Sequence, residues 1–223
     1  MKKILSIFLA IMIVFTLTGC KGLKGYQEFK ESEEAKSLKT PTEVTDYFLK
    51  SMQGNFNANA MKRVYAGKIE GIDIERAIME NSDDKKDNAE TAMSKLILHK
   101  LFDFKYKIQS EKIKGKKATV KVEIKTYDFG AAYKTTYDTV VADAKSGKIT
   151  ATTDVKDYVY NLMFQNLNSV KDKSYKKTVT INCTKNDKGE WTTDINSNVD
   201  FLDAMMGGMF TAIKSVQAGQ AAQ

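Results

Sequence analysis

Apolar positions recur along the chain at three spacings, and each spacing predicts a different element. Residues 4–17 form an unbroken uncharged run, mostly of Ile, Leu, Phe, Val and Met. Residues 21–39 ("KGLKGYQEFKESEEAKSLK") are then polar and charged, and read as a tether. Helical spacing begins abruptly after it. Thr40, Pro41 and Glu43 supply an N-cap, a first-turn proline and a capping-box glutamate ahead of Val44, Tyr47, Phe48 and Met52. A short second helix is predicted over 58–66 and a third over 89–103, where Met93, Leu96, Ile97, Leu98, Leu101 and Phe102 wrap most of the circumference.

At Phe104 the period drops to two. Phe104, Tyr106 and Ile108 alternate with lysines and Gln109; after Lys114-Gly115-Lys116, Ala118, Val120, Val122 and Ile124 alternate with polar residues. That is a hairpin with one dry and one wet face. Two amphipathic helices follow. Asp128 caps the first, which carries Phe129, Ala132, Tyr133, Tyr137 and Val140 on one face; the second carries Val155, Tyr158, Val159, Leu162, Met163 and Leu167. A second hairpin joins "YKKTVTINCT" to "EWTTDI" across Asn186-Asp187-Lys188-Gly189. Asn198 caps a closing helix through Phe201, Leu202, Met205, Met206, Met209 and Phe210, and residues 216–223 read as a frayed tail. The Met205-to-Met209 segment, with its two glycines, is soft enough to cap a cavity or meet a partner, but reads first as an amphipathic core helix. Helices on one face of an antiparallel sheet of about four strands predict an α+β domain spanning residues 40–215.

The apolar run of 4–17 is too short to span a bilayer and suits a signal-peptide core behind Lys2 and Lys3. It ends in Leu17-Thr18-Gly19-Cys20. This order resembles the lipobox of bacterial lipoproteins. The resemblance implies that residues 1–19 are a signal peptide, that the Cys20 thiol receives a diacylglycerol, and that residues 20–39 link it to the domain. Two acyl chains on one residue hold a protein stably on a bilayer. The expected location is the outer face of the cytoplasmic membrane of a Gram-positive cell.

Charge sharpens that picture. The formal net charge is +7, and cleavage after Gly19 would leave +5 by removing Lys2 and Lys3. Arginine occurs only at Arg63 and Arg76. Nucleic-acid sites lean on the planar arginine fork, so the lysine-borne charge excludes nucleic acid and favours solubility or attraction to anionic lipid or wall polymer. Two cysteines make no disulfide framework. Cys183, alone in "TVTINCTK", reads as a small buried residue on a strand; as a nucleophile it has no histidine near it in sequence. The acidic stretch "NSDDKKDN" at 81–88 lacks the glycine and late glutamate of an EF-hand and reads as a solvated loop. No metal motif, phosphate-cradling glycine loop or nucleophile elbow occurs, so no metal and no cofactor are expected.

Two segments carry a further resemblance. "TPTEVTDYFLKSMQGNFNANAMK" and "KLFDFKYKIQSEKIKGKKATVKVEIKTYDF" resemble the opening helices and first hairpin of lipoprotein families with a cystatin-like or nuclear-transport-factor-like fold. The resemblance implies a curved sheet forming a cone around a helix, with further helices inserted. In such a cone Tyr47, Phe48, Phe102, Tyr106, Tyr127 and Trp191 are candidates to line an apolar pocket, although most of the aromatics read as core. Enzymatic relatives of isomerase or dehydratase type place acid–base groups inside the cone. Here the one pair is His99 and Asp103, spaced i, i+4, which also fits a polar strip on a buried helix. The leading expectation is a membrane-anchored, non-catalytic module for a small apolar ligand, a peptide, an envelope partner or an anionic wall polymer. The alternative is an enzyme using His99 and Asp103.

Overall fold

The computed structural model describes residues 38–53, 64–65, 96–97, 99–195 and 198–221. Helix α1 (Pro41–Met52) starts where the capping signals place it. The Thr40 hydroxyl accepts from the Glu43 amide at 3.1 Å, and the Glu43 carboxylate accepts from the Thr40 amide at 2.9 Å. Strands β1 (Lys105–Lys114) and β2 (Lys117–Thr126) follow, then helices α2 (Phe129–Lys145) and α3 (Val155–Ser169). The chain returns to the sheet as β3 (Tyr175–Lys185) and β4 (Trp191–Asp194), and closes with α4 (Val199–Met205) and α5 (Met209–Ala221). All pairings are antiparallel, in the order β1-β2-β3-β4. The fold is α+β, as the alternating and helical periods predict.

One face of the sheet packs on α1 and α4. Val44 and Phe48 of α1 meet Val120, Val122, Ile124, Ile181 and Phe201, each fully buried. The Phe48 and Phe201 rings lie 6.3 Å apart. A second hydrophobic cluster forms among α2, α3 and α5, around Phe129, Tyr133, Tyr160 and Leu167. Met206 packs against both clusters.

The structure departs from the sequence pattern in four places. The closing helix is broken into α4 and α5 at Gly207 and Gly208, whose φ angles are 52° and 77°. Only glycine adopts this conformation cheaply. A Cβ on Gly207 would also lie 1.9 Å from the Tyr127 carbonyl oxygen, and Gly207 in turn accepts from the Gly130 amide at 3.0 Å. The turn therefore presses directly on the chain entering α2. Second, α5 runs on through the residues that read as a tail, because Val216 packs against the helical cluster. Third, Val64 and Tyr65 do not continue a helix. The Val64 carbonyl accepts from the Thr193 amide at 2.6 Å and hydroxyl at 2.9 Å, and Tyr65 bridges Thr193. Finally, β1 carries a bulge between Ile108 and Ser110. The extra residue, Gln109, reverses which side chains face the helices in the second half of the strand.

Candidate functional site

That bulge decides the chemistry of the sheet. Directly opposed residues of an antiparallel pair share a face. Before the bulge, Tyr106 and Ile108 face the helices, opposite Ile124 and Val122. After it, Glu111 and Ile113 do, opposite Val120 and Ala118. Glu111 uses that position to accept from the Thr42 amide at 3.1 Å and hydroxyl at 2.7 Å, in the first turn of α1. A strictly alternating strand would have turned Lys112 and Lys114 to the helices. With the bulge they join Lys105 and Lys107 on the outer face.

The outer face is consequently lysine-rich. Strand β1 contributes Lys105, Lys107, Lys112 and Lys114; β2 adds Lys117, Lys121 and Lys125; β3 adds Lys176. All are exposed. Only Lys176 has an ion-pair partner among the described residues, Glu123 at 3.2 Å. Lys105, Lys125 and Lys176 occupy one register row across three strands. Beside them runs a lane of Thr178, Thr180, Asn182 and Thr184 on β3. Its middle borders a shallow recess of about 240 Å³ lined by Thr180, Asn182, Asp194 and Asn198.

Lysines facing the helices are treated differently. Lys177 lies opposite Ile124 and reaches Asp200 at 3.0 Å and Asp203 at 3.2 Å. Asp203 is 2% exposed and also accepts from the Thr211 amide at 3.0 Å and hydroxyl at 2.7 Å, which caps α5 from outside the helix. Burial pushes the Asp203 carboxyl up, but the bonds from Thr211 and Lys177 outweigh it and hold the carboxyl below the ordinary range. Burial likewise opposes the Lys177 charge, and the two aspartates more than restore it. Lys185 lies over the Trp191 ring at 5.6 Å.

The candidate residues fall in several places. Cys20 lies outside the described residues. Phe48, Phe102, Tyr127 and Trp191 are buried, between 0 and 9% exposed, while Tyr47 and Tyr106 pack partly buried against the sheet cluster. The Tyr106 hydroxyl donates to Asp46 at 2.6 Å; burial, then that bond, raises its pKa. His99 is exposed and makes no hydrogen bond to Asp103. Asp103 instead accepts from the Tyr127 hydroxyl at 2.5 Å and the Lys173 ammonium at 2.6 Å. Lys173, then Tyr127, hold the Asp103 carboxyl below its ordinary range, and the same bond pushes the Tyr127 phenol up to about 12. Buried Lys100 lies 4.0 Å above the Tyr127 ring and donates to the Val170 carbonyl at 2.5 Å. This knot ties the helical turn before β1 to the loops after β2 and α3. Within it the Asp103 carboxylate is bound by both partners and favoured in its charged form. Cys183, 1% exposed, has its thiol pKa raised by burial and sits 3.5 Å from the Thr45 hydroxyl.

The sequence pattern located the hairpins and their wet side, but missed the outward turn of Lys112 and Lys114 and the Asp103 knot. Lys173 and Tyr127 are far from Asp103 in sequence, and no spacing rule joins them. Among the described residues there is no group of side chains able to hold a metal ion, and no helix long and apolar enough to cross a membrane.

No protein-family model matches the chain, and no curated protein matches it. Among solved structures it is similar to ycdA from Bacillus subtilis subsp. subtilis str. 168, provisionally described as a lipoprotein. The identity is 20% and the TM-score 0.45, with 72% of this chain and 54% of that chain covered. The chain thus spans about half the length of that structure.

Proposed function

We propose that the protein is a lipid-anchored extracytoplasmic lipoprotein whose α+β domain is a non-catalytic binding module. The observation that carries this reading is the order of the first twenty residues: two lysines, the apolar run of 4–17, then Leu17-Thr18-Gly19-Cys20. A diacylglycerol on Cys20 would supply two buried chains, at about 0.8 kcal/mol per methylene, which is enough for stable attachment. The binding role is supported by what the domain offers. The candidate carboxylate Asp103 is bound by Tyr127 and Lys173, whereas on the outer sheet face only Lys176, among the described lysines, has a carboxylate partner.

The anchor is tested by expressing the full chain and its Cys20→Ala variant, then fractionating the cells and weighing the mature N-terminus by mass spectrometry. The wild type is expected in the membrane fraction with a diacylated N-terminal cysteine. The variant is expected either in the soluble fraction or with its signal uncleaved. A cleaved Cys20→Ala chain that stays in the membrane fraction would overturn the anchor.

A further inference from the structure

We infer that the outer sheet face is the module's binding surface and that its occupant is a linear phosphate polymer with hydroxylated repeat units. This names the partner of the binding module proposed above, and rests on that reading for its place at the cell envelope. The argument begins with a cost. Like charges placed directly opposite on neighbouring strands destabilise a sheet. The row Lys105, Lys125 and Lys176 does this twice, and Lys114 opposite Lys117 does it again. Lysines on an edge strand also discourage edge-to-edge aggregation, which accounts for those of β1. It does not account for Lys117, Lys121 and Lys125, which lie on the interior strand β2. The chain has the means to neutralise lysines, as it does for Lys177 with Asp200 and Asp203 on the opposite face. On the outer face, among the described residues, it pairs only Lys176, with Glu123, and leaves Lys105, Lys107, Lys112, Lys114, Lys117, Lys121 and Lys125 without a carboxylate partner.

The layout selects the occupant. Successive outward residues of a strand are about 6.7 Å apart and neighbouring strands about 4.8 Å apart, so the lysines form an elongated strip along two strands rather than one compact pocket. A linear polyanion laid on that strip meets successive ammonium groups and releases counterions at each contact. The adjacent lane of Thr178, Thr180, Asn182 and Thr184 supplies hydroxyl and amide partners for a hydroxylated backbone. A bilayer is the less suitable partner. Peripheral membrane surfaces combine basic with inserted apolar side chains, and the exposed large apolar residues among those described, Ile113, Val199 and Leu202, are not on the outer face.

The test uses the full chain and poly(glycerol phosphate) as the probe, with binding followed by titration calorimetry at several salt concentrations. Vesicles of phosphatidylglycerol in phosphatidylcholine serve as the competing surface. Two triple variants are compared: Lys105→Gln with Lys125→Gln and Lys176→Gln, and Lys145→Gln with Lys188→Gln and Lys214→Gln, whose lysines are exposed elsewhere. The outer-face triple is expected to weaken polymer binding about ten- to a hundredfold and flatten its salt dependence, while the other triple retains wild-type binding. Equal loss in both triples would show attraction to net charge and overturn the assignment. So would unchanged binding by the outer-face triple, or vesicle binding without polymer binding. Circular dichroism of both triples separates lost binding from lost folding. Because the titration does not depend on lipid at Cys20, its failure leaves the anchor intact, and failure of the anchor leaves the titration standing.

Discussion

The two faces of this sheet are built from the same strands and obey opposite rules. Towards α1 and α4, Val120, Val122, Ile124, Val179, Ile181 and Cys183 are all within 5% of complete burial, and Lys177 is held by two carboxylates. Towards solvent, Lys125 stands opposite both Lys105 and Lys176, Lys114 stands opposite Lys117, and among the described residues only Lys176 has a carboxylate partner. The difference separates what holds the domain together from what the domain shows to its surroundings. Stability resides in the inner face, where the buried apolar residues pack into one cluster. The like-charge neighbours of the outer face work against stability by a small amount, and the proposed binding surface rests on that cost.

The sharpest way to break the comparison is to damage the inner face. Phe201 is fully buried against Phe48. Replacing it with alanine leaves a cavity in a closely packed region, and should lower the free energy of unfolding by about 3–5 kcal/mol. Urea denaturation followed by tryptophan fluorescence reads this directly, since Trp191 lies in the same cluster. A loss below about 1 kcal/mol would show that the inner face is not the seat of stability.

A smaller effect is expected at Asp203, where the inner face accepts charge. Asp203→Asn keeps the shape but weakens the bonds from Lys177 and Thr211, and should cost about 1–3 kcal/mol at neutral pH. The sign of the pH dependence follows from the lowered carboxyl pKa. A carboxylate that titrates lower in the folded than in the unfolded chain stabilises above the unfolded value, about 3.9, and loses that contribution as pH falls through the folded value. The gap between wild type and Asp203→Asn should therefore be full at pH 7 and narrow below about pH 4. A gap that widens on acidification would contradict the assigned partners.

These two positions also show what was legible in the sequence. Phe201 stood out at once, because an apolar face behind an Asn198 cap is a local pattern; Asn198 does accept from the Phe201 amide at 2.9 Å. The hairpin turns were equally local, and Gly115 and Gly189 take the positive φ their positions predict. Asp203 did not stand out. Its partners lie eight residues ahead and twenty-six behind, brought together by the Gly207-Gly208 turn that breaks the closing helix. The lysine face was half-legible. Alternation around Lys117, Lys121 and Lys125 assigns them to the wet side, but alternation alone assigns Lys112 and Lys114 to the helices. Only the bulge at Gln109, a property of the β1–β2 pairing and not of β1 itself, moves them outward.

The smallest expected effect has the opposite sign and tests the outer face. If Lys105, Lys125 and Lys176 repel one another across the row, their combined replacement by glutamine should raise the unfolding free energy by a few tenths of a kcal/mol. The gain is limited because Lys176 gives up its ion pair with Glu123, which is worth little at an exposed site. Salt provides the control. Screening relieves repulsion, so the wild type should gain stability between 0.05 and 0.5 M sodium chloride by about the same few tenths, while the variant gains less. The curves should converge at high salt. A variant less stable than wild type at low salt would mean that the row contributes to folding, and the division between a stabilising inner face and a presenting outer face would fail at the residues that define it.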